Sequence, residues 1–115
     1  CVMCSSHDEE DIYHLFFSCP FAVRCWLSLG IHWDILLDIH ERLLQARSTS
    51  RLPFFLEICI IGMWELWKLH NRKVFEGQAT SLGLWMLRFK DEVWLQSLRL
   101  KEALKPVIFS WIDSL

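Results

Sequence analysis

The stretch PFFLEICIIGMWELWKLHNRKVF, residues 53–75, decides the fold. As a helix it would be apolar on nearly all sides for about four turns, with polar side chains becoming frequent only from Lys68 onward. A helix that is apolar all round belongs in a protein interior, because burial removes its surface from water. The stretch therefore predicts a long, buried central helix that Glu76 and Gly77 bring to an end.

Helical spacing of apolar residues also predicts the other elements. The predicted helices cover residues 20–29, 34–46, 53–75, 81–104 and 106–115. Pro20 stands where a first helical residue belongs and Gly30 where a helix ends. Asp34 can cap the second helix, and residues 47–51, which contain Ser-Thr-Ser, are expected to form a linker loop.

The fourth predicted helix begins after Thr80 or Ser81, either of which can cap it, and Pro106 separates it from the terminal helix. It carries two apolar stripes on roughly opposite sides. The first consists of Leu82, Met86, Phe89, Val93, Gln96, Leu100 and Ala103, and the second of Leu84, Leu87, Trp94 and Leu98. One stripe can face the bundle, whereas the other needs a partner helix or a neighbouring domain as a second cover.

The length and composition of the chain limit the kinds of protein that it can be. The chain has 115 residues, 53% of them apolar, which is enough for one hydrophobic core. No signal peptide is visible, and the longest apolar run, residues 58–64, is far shorter than the roughly 20 residues of a membrane span. Five cysteines, four of them within residues 1–25, favour metal binding over disulfides. We therefore expect an intracellular, reducing compartment, the nucleus or the cytoplasm, and no membrane partner.

The motif Cys1-x2-Cys4-x9-His14-x4-Cys19 carries the chemistry. Three thiolates and one imidazole are the donor set that tetrahedral Zn²⁺ selects. Since protein side chains would fill all four positions, no site remains for water, and a structural zinc is favoured over a catalytic one. Cys19 directly precedes the predicted helix at Pro20, where the helix dipole would stabilise its thiolate.

The motif completes the prediction of the fold, which is all-α, with an N-terminal zinc knuckle followed by a small bundle of four to five helices. Residues 1–30 form the knuckle and the first helix, residues 31–115 form a Trp-rich helical body, and the two parts fold as one unit. His7 and Cys25 are the alternative ligands. His7 lies in an acidic loop and is expected to be solvated, whereas Cys25 and Cys59 are expected to be core thiols.

The residues of this motif resemble a known family. An N-terminal Cys-x2-Cys pair, the run HLFFSCPFA at residues 14–22 and then Trp26 look like the zinc-binding region downstream of the polymerase domain in plant non-LTR (LINE-type) retrotransposon reverse transcriptases. Residues 64–75, WELWKLHNRKVF, are similar to the W-x-x-W-K-x-R-N-x-x-F segment that follows it, although the order here is His-Asn-Arg. The remaining residues match only in their general helical, Trp-containing character.

This resemblance implies a piece of a retroelement polyprotein, in which such a knuckle is thought to hold template RNA or target DNA near the polymerase. The carboxylate clusters of a polymerase or a ribonuclease H are not found in the sequence. No nucleophile, base and orienting group stand at a defensible spacing either. We therefore predict that the chain is not an enzyme by itself and takes no small-molecule substrate.

Binding to RNA or DNA needs cations for the phosphates, and the net charge of −2 does not by itself indicate such binding. The candidate nucleic-acid-binding residues are Lys68, Arg72, Lys73, Arg88 and Arg99. The rival hypothesis is a structural or protein-interaction module whose uncovered stripe docks onto the remainder of a polyprotein or a second copy. A third hypothesis is a relic without a selected activity.

Overall fold

The computed structural model describes residues 13–50, 52, 54–77 and 79–115. Five α-helices lie within these residues: α1 (Pro20–Ser28), α2 (Ile39–Ser50), α3 (Phe55–Glu76), α4 (Leu82–Ser97) and α5 (Lys105–Asp113). A π-helical turn, His14–Ser18, precedes α1, and a 3-10 turn, Glu102–Leu104, precedes α5. No strand occurs in these ranges, so the all-α prediction is confirmed for them. None of the helices found there combines the length and the apolar character needed to cross a bilayer.

Helix α3 is the longest helix of the described residues, and it packs against α4, which also packs against α1 and α5. It ends at Glu76 because Gly77 adopts a left-handed conformation with φ of 66°, which a glycine tolerates without steric cost. The predicted burial is only partly correct. Ile58 and Leu66 are buried, but Ile60 on the same helix is 66% exposed, so α3 presents an apolar surface to solvent.

The core forms where α1 and α4 cross α3 at Gly62. Trp26 of α1 and Trp85 of α4 are fully buried, and the indole N–H of Trp85 donates to the carbonyl of Gly62 at 3.3 Å. A Cβ atom added at Gly62 would lie 2.7 Å from Cη2 of Trp26, closer than two carbons can approach. Glycine is therefore required here so that the ring of Trp26 can lie against the backbone of α3.

An aromatic cluster extends this core towards the turn before α1. The ring of Trp33 meets Trp26 edge-on at 5.4 Å and Phe17 edge-on at 5.2 Å between centroids. The indole N–H of Trp26 donates to the carbonyl of Phe16 at 2.7 Å. These contacts fix the π-helical turn against α1, so the position of the turn depends on tertiary packing as well as on its own backbone bonds.

The second helix differs from its prediction at both ends. It begins at Ile39 rather than at residue 34, because Asp38 is the cap and its carboxylate accepts from the backbone N–H of Glu41 at 2.9 Å. Asp34 instead closes a turn by accepting from the backbone N–H of Leu36 at 3.0 Å. The following residues are held by the side chain of Arg42.

Arg42 is a buried cation that holds the turn before α2. Its guanidinium donates to the backbone carbonyls of Asp34 at 3.2 Å, Ile35 at 3.0 Å and Leu37 at 2.9 Å. It also lies over the ring of Phe17, 4.7 Å from its centroid. Arg42 therefore joins the turn to the aromatic cluster, a role that its charge does not reveal in the sequence.

The predicted linker at residues 47–51 is wrong for residues 47–50, which continue α2 to Ser50. The hydroxyls of Ser48 and Thr49 donate to the carbonyl of Gln45 at 3.0 and 2.9 Å, so both polar side chains are satisfied within the helix. Arg51 lies outside the described residues.

Helix α4 is capped by Ser81, whose hydroxyl accepts from the backbone N–H of Leu84 at 3.0 Å, as predicted. It ends at Ser97 rather than near Leu104. The hydroxyl of Ser97 donates to the carbonyl of Trp94 at 2.6 Å, and the backbone N–H groups of residues 98–100 donate to carbonyls three residues earlier. This early end allows α5 to turn back and bury Ile108.

Candidate metal centre and charged surface

His14 and Cys19 are the two predicted zinc ligands that the structure describes, and they lie at the two ends of the turn that leads into α1. Both are buried, with exposed fractions of 7% and 1%. The backbone N–H of Cys19 donates to the carbonyl of His14 at 2.7 Å, which closes the turn between them. The turn thus places a buried histidine and a buried cysteine directly before α1.

Cys19 is also the N-cap residue of α1, and Pro20 follows it in the first turn, as predicted. The partial positive charge of a helix N-terminus stabilises an anion such as a thiolate. Nδ1 of His14 lies 3.3 Å from the hydroxyl of Ser18, within hydrogen-bonding distance. A hydrogen bond at one ring nitrogen is the arrangement that orients a histidine for metal binding through the other.

The other two predicted ligands, Cys1 and Cys4, lie outside the described residues, as does the alternative ligand His7. Among the residues that are described, no three histidine, cysteine, aspartate or glutamate side chains are grouped to hold a metal ion. A site of three sulfurs and one imidazole therefore stays a prediction. His14 and Cys19 fit it in donor chemistry and in burial.

Cys25 and Cys59 are core residues, as predicted. Both are buried, and burial raises the pKa of each thiol from 9.0 to about 12, because an apolar surrounding disfavours the thiolate. At Cys25, the charge of Arg24 opposes this increase in the pKa and the nearby Cys19 adds to it, but burial is the larger effect. The two thiols are therefore small apolar groups at neutral pH, chemically unlike a metal ligand.

Lys68 and Arg88, two candidate nucleic-acid-binding residues, line one shallow depression between α3 and α4. Three carboxylates, those of Glu65, Asp91 and Glu92, line the same depression. Nζ of Lys68 lies 2.7 Å from Oε1 of Glu65 and 5.6 Å from the centre of the Trp64 ring. The folded chain thus surrounds these two cations with acidic groups, which weakens their attraction for phosphate.

The remaining three candidates lie elsewhere. Arg72 and Lys73 are half-buried in the last turns of α3, and Arg99 is exposed just beyond the end of α4. Arg99 lines an apolar groove rather than the depression that holds Lys68 and Arg88. The five basic residues therefore do not all line one depression.

The two apolar stripes predicted for the fourth helix differ in their exposure to solvent. Leu87, Trp94 and Leu98 of the second stripe are each more than half exposed, so the described residues leave this part of the stripe uncovered. Phe89 and Val93 of the first stripe are buried. Trp85 belongs to neither predicted stripe and is nevertheless fully buried, because it packs at Gly62.

The resemblance to plant retrotransposon reverse transcriptases rests on the Cys and His spacing of residues 1–19 and on the tryptophans of residues 64–75. Within the second segment, Trp64 and Trp67 are 51% and 41% exposed. One face of this segment therefore meets solvent. Comparison of the chain with protein-family models, with curated proteins and with solved structures gives no match.

Proposed function

We propose that this chain is a non-catalytic helical module organised by one structural Zn²⁺, of the type that the resemblance implies for a retroelement polyprotein. The proposed ligands are Cys1, Cys4, His14 and Cys19. The observation that supports this proposal best is the burial of His14 and Cys19 at the two ends of one turn, directly before α1. Burial next to an aromatic core makes it costly to ionise a thiol and keeps water away from an imidazole. A bound metal ion compensates for both costs.

The zinc would act on the fold rather than on a substrate. With four protein donors the ion has no open position for water, so it neither activates a nucleophile nor polarises a carbonyl. Its free energy of binding would instead stabilise the turn that Phe16 and Phe17 attach to Trp26 and Trp33. The residues before this turn would thereby be tied to the bundle.

Cobalt substitution tests the metal site directly. Replacing Zn²⁺ by Co²⁺ in the purified chain is expected to give the intense visible bands of a tetrahedral site and strong near-ultraviolet thiolate-to-cobalt absorption. Cys19→Ser is expected to reduce the thiolate absorption by about one third, since one of three sulfurs is lost. Cys59→Ser is the matched control, because Cys59 is buried in α3 and is not a proposed ligand.

Elemental analysis gives an independent readout of the same proposal. One zinc per chain is expected for the wild-type protein and for Cys59→Ser. Substoichiometric zinc in the wild-type protein, or a cobalt spectrum that Cys19→Ser leaves unchanged, would contradict the proposed site.

The proposal extends to association with RNA or DNA through Lys68, Arg72, Lys73, Arg88 and Arg99. Arg72 and Lys73 carry most of this part, because neither lines the acidic depression that surrounds Lys68 and Arg88. Each contact to a single-strand phosphate contributes about 0.7 to the slope of log K against log salt. Replacing Arg72 and Lys73 by Gln is therefore expected to lower the slope for single-stranded RNA by about 1.4.

Lys101→Gln is the control for that experiment, because Lys101 is exposed and lies outside the candidate set. A wild-type slope near zero would discard the nucleic-acid part of the proposal and leave the zinc part untouched.

Protein interaction is the second candidate function, and a specific observation favours it. Leu87, Trp94 and Leu98 on α4 and Ile60 and Trp64 on α3 are each more than half exposed. Apolar surface of this extent marks an interaction site more often than an inert surface. Sedimentation at increasing concentration separates self-association from the binding of another protein.

A further inference from the structure

A groove of about 480 Å³ runs between α3 and α4, on the side to which α5 returns. Its walls are mainly apolar, and Phe54, Ile58, Ile61, Val93, Leu100 and Ile108 supply much of them. Ile60 and Trp64 stand at its α3 side and are 66% and 51% exposed. An open apolar channel of this size is the usual form of a docking site for an apolar side chain or helix.

The dimensions of the groove suit a helix. Its lining residues on α3 run from Glu57 to Trp64, and those of the adjoining depression continue to Lys68. At about 1.5 Å per residue, the two together extend for about 16 Å, or three helical turns. A helix that inserts its apolar stripe between two antiparallel helices is a common recognition mode.

The adjoining depression carries a net negative charge, because three carboxylates and only two cations, Lys68 and Arg88, line it. Glu92 lines both the groove and the depression, and Asp91 and Glu65 line the depression beside it. Glu65 is only 1% exposed, and its Oε2 has no hydrogen-bond partner among the described residues, whereas its Oε1 pairs with Lys68. Glu65 is too deeply buried for the side chain of a partner to reach, so Asp91 and Glu92 are the acidic groups of the depression that a docked cation can contact.

The two ends of the groove carry different side chains. Residues 77–81 alone join α3 to α4, so the two helices run in opposite directions. Glu57 and Arg99 therefore mark one end of the groove, and Trp64 and Glu92 mark the other. The end with Glu92 adjoins the depression, so Glu92 and the other acidic groups of the depression lie together at that end.

We propose that the groove binds an amphipathic helix of a partner protein that carries lysine or arginine beside its apolar stripe. The apolar side chains lie between α3 and α4, and a basic side chain reaches Glu92 and Asp91 where the groove meets the depression. This inference goes beyond the zinc module proposed above and requires only that the chain is folded.

Two labelled peptides of about 18 residues, long enough to form a helix, test the proposal. Both carry leucine at helical spacing, and one has lysine and the other glutamate beside the leucines. Fluorescence anisotropy is measured with the full-length, zinc-loaded chain. The lysine peptide is expected to bind at least about 10-fold more tightly, since charge complementarity of this kind is worth on the order of one decade.

Three variants locate the binding. Ile60→Glu is expected to weaken binding of the lysine peptide at least about 10-fold, because it places a charge in the apolar wall. Phe75→Glu is the matched control, since Phe75 is 80% exposed on the same helix but does not line the groove. Replacing Asp91 and Glu92 together by Lys is expected to reverse the preference between the two peptides, because these are the carboxylates that the basic side chain reaches.

Equal affinity for the two peptides, or binding that Ile60→Glu leaves unchanged, would overturn the proposal. Concentration-dependent dimerisation that Ile60→Glu abolishes would overturn it in favour of a second copy. The result is separable from that of the cobalt experiment. If the chain lacks zinc but discriminates between the peptides, only the proposed metal site is contradicted. If the zinc-loaded chain does not discriminate between them, only the proposed binding groove is contradicted.

Discussion

The tryptophans of this chain lie in two different environments, one buried and one partly exposed to solvent. Trp26 and Trp85 are fully buried at the crossing of α1, α3 and α4, and each indole N–H donates to a backbone carbonyl. Trp64, on α3 two residues after Gly62, is 51% exposed, and the ammonium of Lys68 lies over its ring. The difference shows that apolar content alone does not place a residue in a core. A small residue that lets helices approach, here Gly62, decides which aromatic rings are buried.

Gly62→Ala is expected to have the largest effect on this comparison. The new Cβ would lie 2.7 Å from Cη2 and 2.8 Å from Cζ3 of Trp26, and a rigid ring cannot yield locally. Overpacking of this kind costs about 3 kcal/mol, and the higher helix propensity of alanine offsets at most about 1 kcal/mol. Urea unfolding is expected to show a free energy of unfolding lower by about 2 to 3 kcal/mol.

Gly83→Ala is the matched control for that substitution. A Cβ at Gly83 meets nothing closer than 4.0 Å, so only the gain in helix propensity applies. It should leave the stability unchanged or raise it by up to about 1 kcal/mol. Equal losses at the two glycines would show that Trp26 does not depend on Gly62.

Arg42→Ala is expected to have the next largest effect. The substitution leaves the carbonyls of Asp34, Ile35 and Leu37 without their shared donor and removes the cation over Phe17. We expect the free energy of unfolding to fall by about 1 to 2 kcal/mol. Arg47→Ala, at an exposed position of the same helix, should change it by less than about 0.5 kcal/mol.

The sequence was sufficient for the helices whose ends carry local signals. Pro20 and Gly77 mark helix ends through their own backbone restrictions, and Ser81 caps through its own hydroxyl. Long-range partners decide the rest. The start of α2 depends on Arg42 reaching back to three carbonyls, and no local pattern contains that contact.

The candidate site divides in the same way. The spacing of the motif predicted His14 and Cys19 as ligands. In the structure both residues are buried, one at each end of the turn before α1. Carboxylates at helical spacing from Lys68 and Arg88 can be read from the sequence, since Glu65 precedes Lys68 by three residues and Asp91 follows Arg88 by three. That all of them line one depression could not be foreseen, because it depends on how α3 packs against α4. A count of basic residues along the sequence therefore overstates the exposed positive charge.

The reactivity of the thiols of Cys25 and Cys59 tests whether these two residues are buried. The pKa of Cys25 and of Cys59 is raised from 9.0 to about 12 by burial, so both are protonated at pH 8 in the folded chain. Alkylation located by mass spectrometry should be slow at both residues in buffer and fast in urea. Their contribution to stability is fully present below about pH 9 and is lost as the pH rises towards about 12, because only the unfolded chain then ionises freely. Equal labelling rates in buffer and in urea would contradict their burial.

The smallest expected effect on stability is that of Ile60→Ala, at the exposed wall of the groove. Ile60 is 66% exposed whereas Ile58, two residues earlier on α3, is 2% exposed. Ile58→Ala removes buried methylene groups and should cost about 2 to 4 kcal/mol. Ile60→Ala should cost less than about 0.5 kcal/mol, since water already covers most of its side chain. If chemical unfolding gave a large loss for Ile60→Ala, its side chain would have to be buried in the free chain. The groove would then be part of the core and not an exposed binding surface.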